Sequence, residues 1–269
     1  MPELPEVEIA RRNLERWLVG RRILNARVLD RLALRGQSVS RLIRTLRGAT
    51  VRGMGRRGKH LIWDLGGRGR IASHFGMSGK LVMRSANEAL PGASRVVLHL
   101  ARGRKLAFVD VRRLGAFQLV DEMVEKKLRG LGVGPLEPSF TPSRLSHLLS
   151  GARLPIKSFL MDQRRIAGLG NIHVAEALFR AGLHPALESG SLSESETRAL
   201  HRGIRDTLNE TLRKENADEM RYLQESGSEN RFLVYGRKGE PCPRCATRIE
   251  RMMQGGRSTF YCPGCQATK

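Results

Sequence analysis

The sequence has no run of about 18 apolar residues, so no segment reads as a membrane-spanning helix. Its start also lacks the basic stretch followed by an apolar core that marks a secretory leader. Internal repeats and long low-complexity tracts are absent. Acidic residues are scarce: 26 Asp and Glu face 48 Lys and Arg, a formal net charge of +22 at pH 7. The basic excess is spread along the chain instead of lying in one tail, and a polyanion would relieve the self-repulsion it creates. Nucleic acid is the leading partner by this reading and an anionic membrane surface the second, weakened by the missing apolar run. Lysine is rare among the basic residues, only nine of the 48, which marks any lysine inside a motif. A cytoplasmic protein without a membrane partner is expected.

Cysteine is missing from the first 241 positions. All four cysteines follow as Cys242-Pro-Arg-Cys245 and, after sixteen residues, Cys262-Pro-Gly-Cys265. Two C-x2-C turns at this separation are the spacing of thiolate knuckles that close tetrahedrally on zinc. Disulfides are the alternative, disfavoured in a cytosolic chain. Four sulfur ligands leave no open coordination position, so one structural Zn2+ is expected, with no organic cofactor. Between the knuckles, residues 249–253 and 258–261 read as strands joined through Gln254-Gly-Gly256, a β-hairpin finger with Arg257 at its tip, placed to meet a phosphate.

With 269 residues and 40% hydrophobic content, the chain can bury a core of one to two domains. Val7, Ala10, Leu14, Trp17 and Leu18 recur at helical spacing, which predicts an amphipathic helix over 5–18. From about 21 to 120 short strands dominate: Val51 with its neighbours, Leu61–Leu65, Val96–Leu100 and Leu106–Val109, the last two flanking a hairpin at Ala101-Arg-Gly-Arg104. The fold class is therefore α+β, an N-terminal β-sandwich with packed helices. Gly130-Leu-Gly-Val-Gly-Pro135 is a turn-rich linker. Beyond it the period becomes helical. Ile156–Met161 begins a helix, Gly168-Leu-Gly170 breaks it, and Asn171 caps a second helix that stops at Gly182. Ser193-Glu-Ser-Glu196 is a capping box opening a third, with Leu200, Ile204, Leu208 and Leu212 down one face. Helix, two turns, helix is a shape that clamps a nucleic-acid backbone, and the N-terminus at Asn171 serves equally as a phosphate site or an ordinary cap. The expected domains are 1–131, the sandwich; 132–231, the helix-two-turns-helix domain; and 232–269, the zinc finger.

The chain opens Met1-Pro-Glu-Leu-Pro-Glu-Val-Glu8. Removal of Met1 would leave Pro2 with a secondary amine, able to attack an electron-poor carbon and collapse to an iminium. An α-amine of pKa about 7.7 is partly unprotonated at neutral pH. Glu3 is adjacent for proton transfer, and Glu6 lies a helical turn further along. Taken alone, the same residues read as a proline and acids in the first turn of a helix.

Six further segments accompany this start: Arg56-Arg-Gly-Lys59-His-Leu, His74-Phe-Gly-Met77-Ser-Gly, Asp110-Val-Arg112-Arg-Leu114-Gly, Gly168-Leu-Gly-Asn171-Ile, Val234-Tyr-Gly-Arg237 and the four-cysteine finger. In this order, end to end, the chain resembles the bacterial formamidopyrimidine-DNA glycosylases of the Fpg/Nei superfamily. The resemblance implies a monomeric base-excision enzyme acting on damaged double-stranded DNA. Pro2 would attack C1′ of the damaged nucleotide while Glu3 protonates the ring oxygen, and successive eliminations would remove the phosphates on both sides. Lys59 and Arg257 are implied in the catalytic machinery. His74, Asn171, Arg112 and Lys157 would contact DNA, Lys157 as a second contact near the lesion. Met77, Arg112 and Leu114 would fill the hole left by the everted base, with Glu6 lining its pocket. For Met77 and Leu114 burial in the sandwich is the competing expectation, and solvent exposure distinguishes the two.

Two departures bear on specificity. Leu114 stands where the family usually has phenylalanine, which removes aromatic stacking from an apolar wedge. The segment 222–233 is shorter than usual where the family carries the loop that closes over 8-oxoguanine. An endonuclease VIII-like preference for oxidised pyrimidines is the first alternative. A non-catalytic zinc-finger DNA-binding relative is the second, though it would have no need of the Pro-Glu start.

Overall fold

The computed structural model describes residues 2–214 and 230–268. Two expectations from the sequence lie outside them: removal of Met1, and most of the short 222–233 segment. The described residues form two compact units that part after Gly130.

The first unit begins with helix α1, Leu4–Leu18, whose apolar stripe Val7, Ala10, Leu14 and Leu18 is buried as its spacing predicts. Strand β1 is Ile23–Val28. Helix α2, Val39–Leu46, interrupts the region read as strands; the Ser38 hydroxyl caps it by accepting the Arg41 amide at 3.3 Å, and Leu42 and Leu46 are buried. Strands β2 (Gly53–Arg57), β3 (His60–Asp64), β4 (Arg70–His74), β5 (Lys80–Ser85), β6 (Ser94–Leu100), β7 (Arg104–Val109) and β8 (Ala116–Leu119) follow, then helix α3, Glu122–Arg129. Val51, expected within a strand, precedes β2; it is buried, but the ladder starts two residues later at the Gly53–Asp64 pair.

These strands form two antiparallel four-stranded sheets, β1-β6-β7-β5 and β2-β3-β4-β8. Leu98 and Phe108 of the first sheet join Leu61, Trp63, Ile71 and Phe117 of the second in one core, which α1 and α2 complete. Strand alternation does the sorting: Val96, Leu98 and Leu100 enter that core, while Val97 turns to the opposite face and clusters with Val82, Ala107 and Val109. Trp63 is wholly buried and its Nε1–H is satisfied by Ser73 Oγ at 2.9 Å.

In the second unit, α4 (Pro142–Leu149) is followed by α5 (Ile156–Met161), α6 (Asn171–Ala181) and α7 (Glu194–Lys214). The capping box at α7 is present: the Ser193 amide donates to Glu196 at 2.8 Å and the Glu196 amide to Ser193 Oγ at 3.2 Å. Leu200, Ile204 and Leu208 are buried against α6, and Leu212 is half-buried. The finger follows as strands β9 (Glu250–Gln254) and β10 (Arg257–Tyr261), paired antiparallel. Val234, Cys242, Ile249 and Cys262 pack on Ala175 and Phe179 of α6, so finger and helices share a core. Among the described residues no helix is long and apolar enough to cross a membrane.

Candidate active site and nucleic-acid interface

Pro2 and Glu3 head α1, and both are buried, Glu3 completely. The Glu3 amide donates to Glu6 Oε2 at 2.8 Å, and the Glu6 amide reaches back to the Glu3 side chain. This reciprocal box fixes both carboxylates relative to the proline nitrogen. One oxygen of Glu6, expected in the base pocket, is therefore engaged with the backbone of its neighbour.

Lys59 occupies the two-residue turn with Gly58 between β2 and β3, closed by the Arg57–His60 pair. A residue without an assigned role in the sequence braces that hairpin. Glu8 of α1 accepts from Arg56 Nε at 3.0 Å and also pairs with Arg11 and Arg12. Burial would raise the Glu8 carboxyl, but hydrogen bonds from Arg11 and Arg56, with their charges, outweigh it and hold the group below its usual range.

His74 ends β4, its ring 4.7 Å from that of His60 on the neighbouring strand. Burial, then the charges of His60, Lys127, Lys59 and Arg35, lower His74 to about 3; burial and Lys127 lower His60 to about 4. Both rings are neutral at pH 7. The Gly76 amide donates to His74 Nδ1 at 3.0 Å, so the ring proton sits on Nε2, making that nitrogen a donor.

Met77 lies in the β4–β5 loop and Arg112 and Leu114 in the β7–β8 loop. The two loops are built against each other. Asp110, 1% exposed, accepts Ser78 Oγ at 2.6 Å and the Gly115 amide at 2.7 Å, while Ser78 Oγ accepts the Arg112 amide at 3.0 Å. Arg35 Nη2 donates to the carbonyls of Gly115 and Arg113 at 2.8 and 3.3 Å. A Cβ on Gly76 would stand 2.5 Å from the Leu114 carbonyl carbon, and one on Gly115 2.8 Å from the His74 carbonyl oxygen. Leu114 is 45% exposed and Arg112 exposed, whereas Met77 is half-buried. Exposure at Leu114 excludes burial in the sandwich core.

In the second unit Asn171 is the first residue of α6, not its cap; Gly170 holds that position in extended conformation. The Asn171 side chain instead donates through Nδ2 to the Ser258 carbonyl at 3.0 Å, and its buried Oδ1 has no partner. Lys157, expected to contact DNA, is 1% exposed. Its ammonium donates to the same Ser258 carbonyl at 3.2 Å and to the Thr259 hydroxyl, so it is engaged inside the unit. Burial, and then the charge of Arg257, lower it to about 8. Arg257 itself is exposed beyond the turn Gly255-Gly256, where both residues have positive φ, 56° and 70°, as a two-residue hairpin of this twist requires. A second residue that the sequence did not single out is Glu176. From within α6 its carboxylate accepts the amides of Leu233, Val234 and Tyr235 at 2.8, 2.9 and 2.9 Å, fixing the segment that leads into the finger. An acid inside the apolar run Ile172-His-Val-Ala-Glu176-Ala-Leu-Phe was its only signal.

The four cysteine Sγ atoms lie within 4.8 Å of one another, with Cys242–Cys265 at 3.8 Å and Cys245 at 3.4 Å from Cys262 and Cys265. A tetrahedron with Zn–S of about 2.3 Å has sulfurs about 3.8 Å apart, so the set fits one structural Zn2+ and leaves no position open for substrate. All four cysteines are free of disulfides.

Residues 1–117 match the model of the formamidopyrimidine-DNA glycosylase N-terminal domain, 131–221 the H2TH domain of the same enzymes, and 239–268 the zinc finger found in FPG and IleRS. The chain belongs to the formamidopyrimidine-DNA glycosylase family. It is 42% identical to the formamidopyrimidine-DNA glycosylase of Cereibacter sphaeroides strain ATCC 17029, over 99% of this chain and 100% of the relative. It is 37% identical to that of Chloroflexus aurantiacus, over 100% and 98%. Among solved structures, Lactococcus lactis Fpg in complex with abasic-site DNA superposes with a TM-score of 0.90 at 31% identity, covering 99% of this chain and 100% of that one. MutM bound to DNA containing carbocyclic 8-oxo-G superposes equally well, at 30% identity and the same coverage. The family's α+β architecture, with its N-terminal sheets, helical domain and zinc hairpin, is that of this chain.

Proposed function

We propose that this chain is a DNA glycosylase with abasic-site lyase activity that removes oxidised or ring-opened purines from duplex DNA. The observation that carries the reading is the buried pair Pro2-Glu3 at the head of α1, held by the Glu3–Glu6 box, in a chain that matches the family from end to end. With Met1 removed, the Pro2 nitrogen attacks C1′ and the glycosidic bond breaks, the base leaving with a proton. Glu3 protonates the ring oxygen, the sugar opens, and the nitrogen lone pair closes the iminium. Loss of a proton from C2′ then expels the 3′ phosphate, and a further elimination the 5′ phosphate.

In this reading Lys59, His74, Asn171 and Arg257 hold phosphates near the lesion. His74 does so as a neutral Nε2–H donor, and Lys157 acts indirectly by holding the tip of the finger. Arg112, Leu114 and Met77 occupy the gap when the damaged base is everted, offsetting an unstacking cost of a few kcal/mol. Glu6 lines the base pocket with the oxygen not bonded to Glu3. The zinc is structural: it orders the hairpin that presents Arg257. The protein acts as a monomer in the cytoplasm, associated with the nucleoid through DNA.

Borohydride trapping tests the reading, on duplexes carrying 8-oxoguanine, a formamidopyrimidine or an oxidised pyrimidine, with mass spectrometry of the adduct. A reduced crosslink on Pro2, strongest with a purine lesion, is expected. Greatest yield on the pyrimidine would move the assignment to an endonuclease VIII-like specificity. Normal duplex binding with Met1 absent and no adduct on any lesion would leave a non-catalytic DNA-binding protein.

A further inference from the structure

The first unit also gathers arginines at the end of its second sheet away from Lys59 and His74. Lys59 and His74 adjoin one end of β3 and β4; Asp64, the turn 65–69 and Arg70 form the other, roughly 16 Å away for five-residue strands. At that far end four separate segments each carry an exposed arginine: Arg22 before β1, Arg47 after α2, Arg52 before β2 and Arg68 in the β3–β4 turn. Arg22 Nη2 and Arg68 Nη2 lie 3.5 and 3.9 Å from the point where a side chain at Gly48 would begin, and Arg52 Nε lies 3.9 Å from the corresponding point at Gly66. Arg68 Nη1 donates to the Arg47 carbonyl at 2.7 Å, which fixes its guanidinium at the C-terminal end of α2.

Seven other arginines of this unit meet acids: Arg11, Arg12 and Arg56 on Glu8, Arg95 and Arg113 on Asp30, Arg70 and Arg129 on Glu125. Among the described residues none of these four is in an ion pair, and Asp64 beside them accepts the Gly66 amide at 2.8 Å. Four guanidiniums beside the single carboxylate of Asp64 leave an excess of positive charge, and phosphate oxygens, which guanidiniums bind as planar forks, relieve its repulsion.

We propose that this cluster is a second, sequence-independent site for duplex DNA, which engages a neighbouring undamaged segment while the first site holds a lesion. It rests on the glycosylase reading only in that a lesion duplex occupies the other end of the sheet. A site of this kind allows direct transfer between segments: the incoming duplex is bound before the outgoing one leaves, so release speeds up with competitor concentration.

The experiment uses the full-length zinc-loaded protein bound to a labelled duplex with an uncleavable abasic analogue, chased with increasing unlabelled undamaged duplex. The release rate of the wild-type protein is expected to rise at least about threefold across the series and to stay flat in Arg22→Ala/Arg52→Ala/Arg68→Ala. The corresponding triple lysine variant, which keeps the charge, should retain most of the rise. Single-turnover excision on a lesion duplex should be equal in all three proteins, which reports that the variants are folded. The proposal is overturned if the alanine variant keeps the competitor dependence, if the wild-type protein shows none, or if inorganic tripolyphosphate at equal phosphate concentration accelerates release as much as duplex does. No excision by any of the proteins, with the competitor dependence present in the wild type and absent from the alanine variant, would refute the glycosylase reading and leave this one standing.

Discussion

The ammonium of Lys157 and the carbonyl of Ser258 meet at 3.2 Å, tying α5 to the hairpin residue next to Arg257. Asn171 donates to the same carbonyl, so one backbone oxygen gathers two side chains of the helical region onto the finger. Lys157→Met should loosen the hairpin tip and weaken DNA binding roughly tenfold, about 1.4 kcal/mol, in a salt titration. The proton balance gives a second readout. The folded pKa of about 8 lies below the ordinary 10.5, so between these values the unfolded chain binds more protons and stability rises with pH. Melting curves of the zinc-loaded protein should show that rise, and the methionine variant should lose it.

Glu8→Gln should destabilise the first unit by about 2 kcal/mol, because it weakens charged hydrogen bonds to Arg11 and Arg56 together. Since Arg56 also donates to the Gly58 carbonyl at 3.1 Å, the turn that presents Lys59 should loosen with it. Thermal melting reads the first effect. Single-turnover excision should fall more than equilibrium DNA binding.

The His60–His74 pair makes the first unit acid-sensitive. Both folded pKa values, about 4 and about 3, are below the ordinary 6.5, so the stabilising neutral forms are fully present above 6.5 and their contribution is lost as pH falls toward 4. The melting temperature of this unit should decline steadily over that window. His60→Asn should flatten the decline; an unchanged slope in that variant would remove the pair as its cause.

Cys245→Ser, or chelation of zinc, should unfold the hairpin and expose the cluster formed by Val234, Ile249 and Phe179. Circular dichroism should report the loss. Binding to duplex DNA should weaken across all sequences because Arg257 is no longer presented.

Much of this was legible because it is local. The α1 stripe, the strand at Val96–Leu100, the Ser193–Glu196 box and the two C-x2-C turns are each written within a few residues and each took the form expected of it. Helix α2 was not legible: at eight residues with two buried leucines, it offers little periodicity in a strand-rich region. The remaining gaps are contacts between distant positions. Nothing near Glu176 in sequence announces Leu233–Tyr235, nor does anything near Lys157 announce Ser258. Asn171 carries the same lesson, since an asparagine after two glycines reads as a cap, yet tertiary contact with β10 takes its side chain away from the helix end.

The close approach of Gly76 and Gly115 separates what can drift from what cannot. Neither position admits even a methyl group while the loops keep their present course, and Asp110, Ser78 and Arg35 are tied to the same backbone. The side chain at 114 is 45% exposed. Either leucine or phenylalanine can therefore stand there without remoulding either loop.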